Sequence, residues 1–538
     1  MSAIDIAIII IYLLGIVAFG LWSVRKDKAS TDSYFLAGHS LKWPVIGAAL
    51  FATNISSIHL VGLAEAGFQT GLNVGNYEWI SAAVLLILGL VFAPFYFRSK
   101  IATLPEYLEK RYNKGSRTIL AVTAVITALL IHIGLSLYAS AILFESFFNI
   151  PFWVSIISIS ILTCIYTIVG GLKAVVITET IQTFLLLSGA LILAVISVKV
   201  LNGEGIHSWE ELKSRTKPGQ LSMIHDLYVV GEDGSKKLNG ESWLAFFICF
   251  PILSIWYWCT DQTIVQRVLG AKTEKDARLG PLFASFLKLS PVFLLIIPGI
   301  TAYVVFGNNI EAKNALPEMI MKFMPVGIRG LFVAGLLAAL MSTIAGALNS
   351  TSTLIALDIA PSINKDLSES QKIKIGRISA GTVMILAMLA SSQGGQFGSI
   401  FDIINKIPVS FAPSITCVFL FGVFWKRGSS SAGFYTLLSG LVLGLLYFIL
   451  DLKQCGSIFT EKLGIPFLIM GAVLFVIASI IYISISYCTE RPNHENLKNL
   501  TWDSPLQILF NADKTNRLVV VTALGLFSTI VVLYVLIK

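Results

Sequence analysis

Along the 538 residues the apolar positions neither alternate nor mark one face of short helices. They come in blocks of about 20, the length at which a helix crosses a hydrocarbon core. About 14 such spans are expected, near 4–24, 43–63, 76–97, 117–146, 152–170, 175–200, 242–264, 280–306, 330–359, 374–392, 401–424, 430–450, 463–487 and 517–537. Only 201–241 and 488–516 form sizeable polar stretches between them. The pattern predicts an all-α polytopic membrane protein.

Composition agrees: 55% of residues are hydrophobic and 13% charged, where soluble proteins carry about 25% charged residues. Mean hydropathy is +0.80. A soluble enzyme, a disordered chain and a secreted disulfide scaffold are excluded. The net charge of +8 could suggest nucleic acid, but most of the 39 Lys and Arg residues fall between alternate spans: Arg25, Lys26 and Lys28, then Arg98, Lys100, Lys110 and Arg111, then Arg267, Lys272 and Arg278, then Lys372 and Arg377. That is the positive-inside asymmetry of a membrane protein. It places the N-terminus outside and, with an even number of spans, the C-terminus too. Met1 to Asp5 holds no Lys or Arg and no small-residue cleavage site follows the first run, so that run reads as a span and not a signal. The six cysteines form no CxxC pair and read as buried apolar side chains.

Polar and ionisable residues inside spans are costly, so each is a functional hypothesis. In the second span, Thr53, Asn54, Ser56, Ser57 and His59 crowd into seven residues. Such a stretch suits an unwound helix whose freed carbonyls coordinate a cation; a buried intact helix with satisfied side chains is the alternative. Glu78, between Tyr77 and Trp79 and ahead of Ser81, suits a cavity or an interfacial belt. The seventh span carries Pro251, which interrupts the helical ladder, and then Trp256, Tyr257, Trp258, Asp261 and Gln262. Flat aromatic faces beside hydrogen-bonding groups suit a sugar or polyol. Lys288 in the eighth span either snorkels to the surface or reaches a central cavity. Ser342 and Thr343 in the ninth supply adjacent hydroxyls, a hard oxygen site fit for an alkali cation. Asp402 and Asn405 mark the eleventh span; Glu179 in the sixth has no evident partner, which leaves a polar relay or ion path open, with Asp261 as a second member.

The interrupted spans, second and seventh, stand five apart. Matching interruptions in two five-helix halves point to an inverted-repeat transporter. The expected organisation is a peripheral first span and cytoplasmic loop (1–42), a first repeat (43–200), an extracytoplasmic loop (201–241), a second repeat (242–424) and C-terminal peripheral spans (425–538).

At these residues the sequence resembles the sodium/solute symporters, most nearly their sodium/glucose cotransporter branch. The run from Trp256-Tyr257-Trp258-Cys259-Thr260-Asp261-Gln262 to Gln266-Arg267-Val268-Leu269 carries the resemblance best. Ala52-Thr53-Asn54-Ile55, Tyr77-Glu78-Trp79, Gly170-Gly171-Leu172-Lys173, Ala338-Ala339-Leu340-Met341-Ser342-Thr343, Arg111-Tyr112-Asn113 and Phe424-Trp425-Lys426 support it. The resemblance implies a leucine-transporter-like core of two inverted five-helix halves with further spans around it. It also implies inward movement of one solute driven by Na⁺. The matching sodium-site positions are Ala52, Ile55, Ala339, Ser342 and Thr343. The sugar-site positions are Asn54, His59, Glu78, Ser81, Tyr257, Trp258, Lys288 and Asn405, where Asn405 replaces a glutamine of the relatives. His132 takes a position that varies between substrates, and Glu179 stands in place of an aspartate. A monosaccharide is the implied solute; myo-inositol, another polyol or sialic acid are alternatives, and a channel or sensor with a transporter-like core is the alternative of another class. No nucleophile motif or metal spacing supports an enzyme. The plasma (inner) membrane is the expected location, with Na⁺, a small solute and lipid as the partners and no obligate protein partner.

Overall fold

In hydrocarbon a backbone N–H or C=O can pair only within its own segment, so each apolar block becomes a helix. The computed structural model describes residues 1–25, 30–55, 57–230, 234–393, 406–493, 495–497, 500–502 and 514–537. Asp402 and Asn405 lie outside them. Among the described residues ten helices are long and apolar enough to cross a membrane, and a bent pair makes an eleventh. The expected 14 is therefore not reached by that measure. One reason is the helical run Phe152–Gly203, 52 residues with a single kink at Gly171 (φ +58°), which holds two of the expected spans without a loop between them. Another is that the seventh and eleventh spans are represented by shorter apolar helices, Ala245–Thr260 and Ala412–Phe424.

Two helices are interrupted. Trp43–Asn54 ends at Ile55 (φ −77°, ψ 85°), and the chain resumes as a helix bent by 59°. The cause is local: Thr53, Asn54, Ser57 and His59 give this segment polar partners other than its own ladder. The second interruption falls at Asp261 (φ −85°, ψ 125°) and not at Pro251. A π-helical turn, Ala245–Cys249, precedes Pro251 and Pro251 sits in the first turn of the next helix, where its missing N–H costs little. Asp261 instead starts a new helix, Gln262–Leu269, and its side chain accepts the Thr263 N–H at 2.7 Å as an N-cap. The two breaks stand at matching places five spans apart, as a two-half inverted-repeat core requires.

The long helix Ile328–Leu354 is buried along nearly its whole length. The first helix, Ala3–Val24, is tied to its start: Asp5 Oδ1 accepts the N–H groups of Gly327 at 2.8 Å and Gly330 at 3.0 Å, which a helix N-terminus leaves without intrahelical partners. In the polar segment after 200, a capped helix Trp209–Arg215 leads to a small antiparallel hairpin, Tyr228–Val230 with Lys236–Leu238. The segment lies on the ends of the neighbouring spans. The Gln220 carbonyl accepts Leu72 N–H at 2.8 Å, and the Met223 carbonyl accepts Asn73 Nδ2 at 3.0 Å and Asn76 Nδ2 at 2.6 Å.

Candidate functional site

The two breaks, with the helices Asn76–Ile87 and Glu274–Leu287 and the turn Ala128–Leu135, enclose a cavity of about 990 Å³, its mouth included. Asn54, His59, Glu78, Ser81, Tyr257, Trp258 and Lys288 all line it. These are all of the expected solute positions that fall among the described residues. Trp256, His132, Ser254, Thr53 and Thr343 complete much of the wall.

Lys288 reaches the cavity and does not snorkel. Its Nζ lies 2.5 Å from Glu78 Oε2 with both side chains 2% exposed, and it stands 5.7 Å from the Trp258 ring centre. Glu78 is accordingly no interfacial acid. In low dielectric each charge depends on the other, because either alone would be a buried unpaired ion. The Asn54 amide donates to the Tyr257 hydroxyl at 3.3 Å, while Asn54 Oδ1 and Ser254 Oγ are buried with no protein partner. Ser254 lies one helical turn before Tyr257, and no sequence signal marked it. His132 Nε2 lies 3.3 Å from Asp261 Oδ2. The wall thus combines aromatic faces, one ion pair and unsatisfied hydrogen-bonding atoms.

Beside the cavity, oxygen atoms converge between the first broken helix and Ile328–Leu354. Ser342 Oγ donates to the carbonyls of Ala52 (2.9 Å) and Ala339 (2.7 Å), and Thr343 Oγ1 to those of Thr53 (3.1 Å) and Ala339 (3.2 Å). Ile55, whose carbonyl follows the break, is 1% exposed. Carbonyl and hydroxyl oxygens without a carboxylate make a donor set of the hard kind that alkali cations take. Thr53 and Thr343 belong both to this cluster and to the cavity wall.

Glu179 does have a partner. Arg267, which the charge pattern put in a cytoplasmic loop, is fully buried, donating to Glu179 Oε1 at 2.5 Å and Oε2 at 3.1 Å and to the Thr263 carbonyl. Thr53 Oγ1 donates to Glu179 Oε1 at 3.0 Å. The pair therefore ties both broken helices to Phe152–Gly203. It leaves room only because residue 346 is glycine: a Cβ there would fall 2.3 Å from an Arg267 terminal nitrogen and 3.2 Å from Glu179 Oε1. Two more arginines expected in cytoplasmic loops are buried. Arg111 donates to the carbonyls of Gly422 (2.9 Å), Gly428 (3.0 Å) and Trp425 (3.1 Å), and Arg278 to Asn516 Oδ1 (2.7 Å). Basic residues near span ends satisfy the positive-inside rule and can still turn inward to cap exposed carbonyls.

Residues 34–444 match the model of the sodium:solute symporter family. Sodium/myo-inositol cotransporter 2 of Homo sapiens is 32% identical over 535 residues, covering 93% of this chain and 78% of that one. Sodium/glucose cotransporter 1 of Oryctolagus cuniculus is 32% identical over 539 residues, covering 93% and 81%. Among solved structures, a Na⁺-coupled sialic acid symporter in a substrate-bound outward-open state superposes with a TM-score of 0.76 at 22% identity, over 91% of this chain and 99% of that one. Mhp1, a nucleobase-cation-symport-1 family transporter, superposes at 0.54 and 13% identity, over 89% and 99%. These two carry the fold. The family match spans most of the chain, and the relatives cover nearly all of it: this multi-pass membrane protein belongs to the sodium:solute symporter family.

Proposed function

We propose that the protein couples inward Na⁺ flow to uptake of a monosaccharide of glucose or galactose type across the plasma (inner) membrane. The observation that carries this reading is the shared wall. Thr53 and Thr343 line the cavity while their carbonyl and hydroxyl belong to the oxygen cluster. In this reading Ala52, Ile55, Ala339, Ser342 and Thr343 hold Na⁺, and Asn54, His59, Glu78, Ser81, Ser254, Tyr257, Trp258 and Lys288 hold the solute, with Asn405 as the further expected member. A polyhydroxylated ring stacks its C–H face on the aromatics and brings hydroxyls to Asn54 Oδ1, Ser254 Oγ and the Glu78–Lys288 pair. Names of relatives support both a sugar and a cyclic polyol: the glucose and myo-inositol cotransporters match at the same 32%. Myo-inositol is therefore the second reading. Glu179 and Asp261, first considered as an ion path, serve in this reading to hold the helices around the site.

Coupling follows from linkage. An ion bridging the first broken helix and Ile328–Leu354 can favour a state with a formed solute site only through its differential affinity for the two states. A potential near 100 mV contributes about 2.3 kcal/mol per Na⁺, and a tenfold concentration ratio about 1.4 kcal/mol. Their sum sustains several-hundredfold solute accumulation for a single ion.

Purified protein in liposomes, with an imposed Na⁺ gradient and labelled glucose, galactose, myo-inositol and sialic acid, tests the reading. Saturable uptake of one of the first three that collapses when K⁺ replaces Na⁺ is the expected result. Uptake indifferent to that replacement overturns the coupling. Flux that rises without saturation overturns the carrier and favours a channel.

A further inference from the structure

His132 is the one ring nitrogen-bearing side chain of the cavity wall that reaches it from the helical run Lys114–Phe148, and none of the expected solute positions lies on that run. It sits in a π-helical turn, Ala128–Leu135, which rotates the residues that follow relative to a continuous α-helix. Its side chain is 9% exposed, and its ring centre lies 6.0 Å from that of Tyr257. The ring is oriented by one contact, Nε2 to Asp261 Oδ2 at 3.3 Å. Asp261 is itself fixed, because Oδ1 accepts the Thr263 N–H at 2.7 Å. A carboxylate only accepts, so Nε2 carries the hydrogen, and in the neutral ring Nδ1 is then an acceptor with no protein donor.

We propose that His132 is a specificity-determining residue whose Nδ1 accepts a hydrogen bond from one solute hydroxyl, and that Asp261 is the positioning residue that holds that nitrogen toward the cavity. This rests on the cavity being the solute site. The Glu78–Lys288 pair and Trp258 come from other helices, so His132 reads a different part of the same ring. A solute carrying a hydroxyl there is held; one carrying hydrogen there leaves a buried acceptor unpaired, which is the costly kind of mismatch. The chemical class selected is a ring hydroxylated at the position facing the Lys114–Phe148 run.

The test uses full-length protein in liposomes under a Na⁺ gradient. Its probe is D-glucose or myo-inositol, whichever the wild type takes up with the lower KM, together with the monodeoxy series of that compound. His132→Ala raises KM for the parent about tenfold, the loss of one hydrogen bond to a buried acceptor, with the Na⁺ concentration for half-maximal uptake unchanged. For one deoxy analogue alone, wild type and His132→Ala share the same KM. His132→Gln, which keeps an acceptor, recovers part of the parent's affinity. Asp261→Asn offers a single acceptor oxygen to two donors, Thr263 N–H and His132 Nε2–H. It raises the parent's KM and is blind to the same analogue. If every analogue loses affinity equally in wild type and His132→Ala, or if the Na⁺ dependence moves with KM, the assignment is overturned. Trp258→Ala separates the two levels: if it too leaves KM unchanged, the cavity is not the solute site and the broader reading fails; if it raises KM while His132→Ala does not, only the His132 assignment fails.

Discussion

Thr343 Oγ1 donates a hydrogen bond to the carbonyl oxygen of Thr53 at 3.1 Å, joining the long buried helix to the last turn before the first helix break. Both residues also face the cavity. Two elements that must respond together to an ion and to a solute are thus in direct contact through the atoms best suited to hold a cation.

The first expected outcome concerns that contact. Thr343→Ala removes one hydroxyl ligand and should raise the Na⁺ concentration for half-maximal uptake about tenfold, equivalent to about 1.4 kcal/mol. Thr343→Ser keeps the hydroxyl and should stay within about twofold of wild type. Ser342→Ala, which loses the bonds to Ala52 and Ala339, should behave like Thr343→Ala. Uptake measured against Na⁺ at fixed solute reads this directly; unaltered Na⁺ dependence in Thr343→Ala would remove it from the ion site.

A second outcome concerns Glu78 and Lys288, paired at 2.5 Å in the cavity wall. Lys288→Met leaves the carboxylate buried without its counter-ion, a loss of about 3–5 kcal/mol. Lys288→Met with Glu78→Gln removes both charges and should recover most of the thermal stability in detergent. Solute uptake should stay low in both, since both lack the paired charges that a hydroxyl would meet. A double variant that transports normally would show that the pair serves stability alone.

The third concerns the seat of Arg267. A methyl at residue 346 would fall 2.3 Å from its guanidinium, so Gly346→Ala must displace the Arg267–Glu179 pair. Overpacking of this kind costs about 1–3 kcal/mol. Lowered melting temperature together with reduced maximal uptake is expected, because the pair ties both broken helices to Phe152–Gly203. Val535→Ala, on the lipid-facing last helix with 70% exposure, is the control and should change neither.

The membrane-buried site was legible because a charged or amide side chain inside an apolar block stands out against its surroundings. Glu78, Lys288, Asn54 and the aromatic run of the seventh span were visible on that ground alone. Arg267 was not, since a basic residue at a span end satisfies the positive-inside rule equally well in a cytoplasmic loop or turned inward; only the packing of Glu179 against it decides. The break at Asp261 was hidden behind Pro251. Proline announces an interruption in any sequence, whereas an aspartate caps a helix only where the backbone has already left helical geometry. Ser254 gave no signal, because a single hydroxyl in a span ordinarily bonds to its own backbone. The span count failed at Gly171, where a kink joins two membrane crossings that a polar loop was expected to separate.

That kink yields the last prediction. Gly171 has φ +58° and ψ −157°, a region essentially reserved for glycine, where other residues carry about 1–3 kcal/mol of strain. A Cβ there would also sit 2.4 Å from the Tyr34 carbonyl oxygen. Tyr34 cannot easily retreat, since it is buried and its hydroxyl donates to the Ile168 carbonyl at 2.8 Å on the same kinked helix. Gly171→Ala therefore combines strain with a backbone clash and should sharply reduce the yield of folded protein in the membrane. Gly525→Ala, where a Cβ meets nothing within 4 Å, should leave yield unchanged or raise it, because alanine is the better helix former by about 1 kcal/mol. Comparing the two variants by size-exclusion profile and thermal stability separates the demand for a turn at residue 171 from any general intolerance of helix glycines. Equal yields from both would mean that the kink does not require glycine.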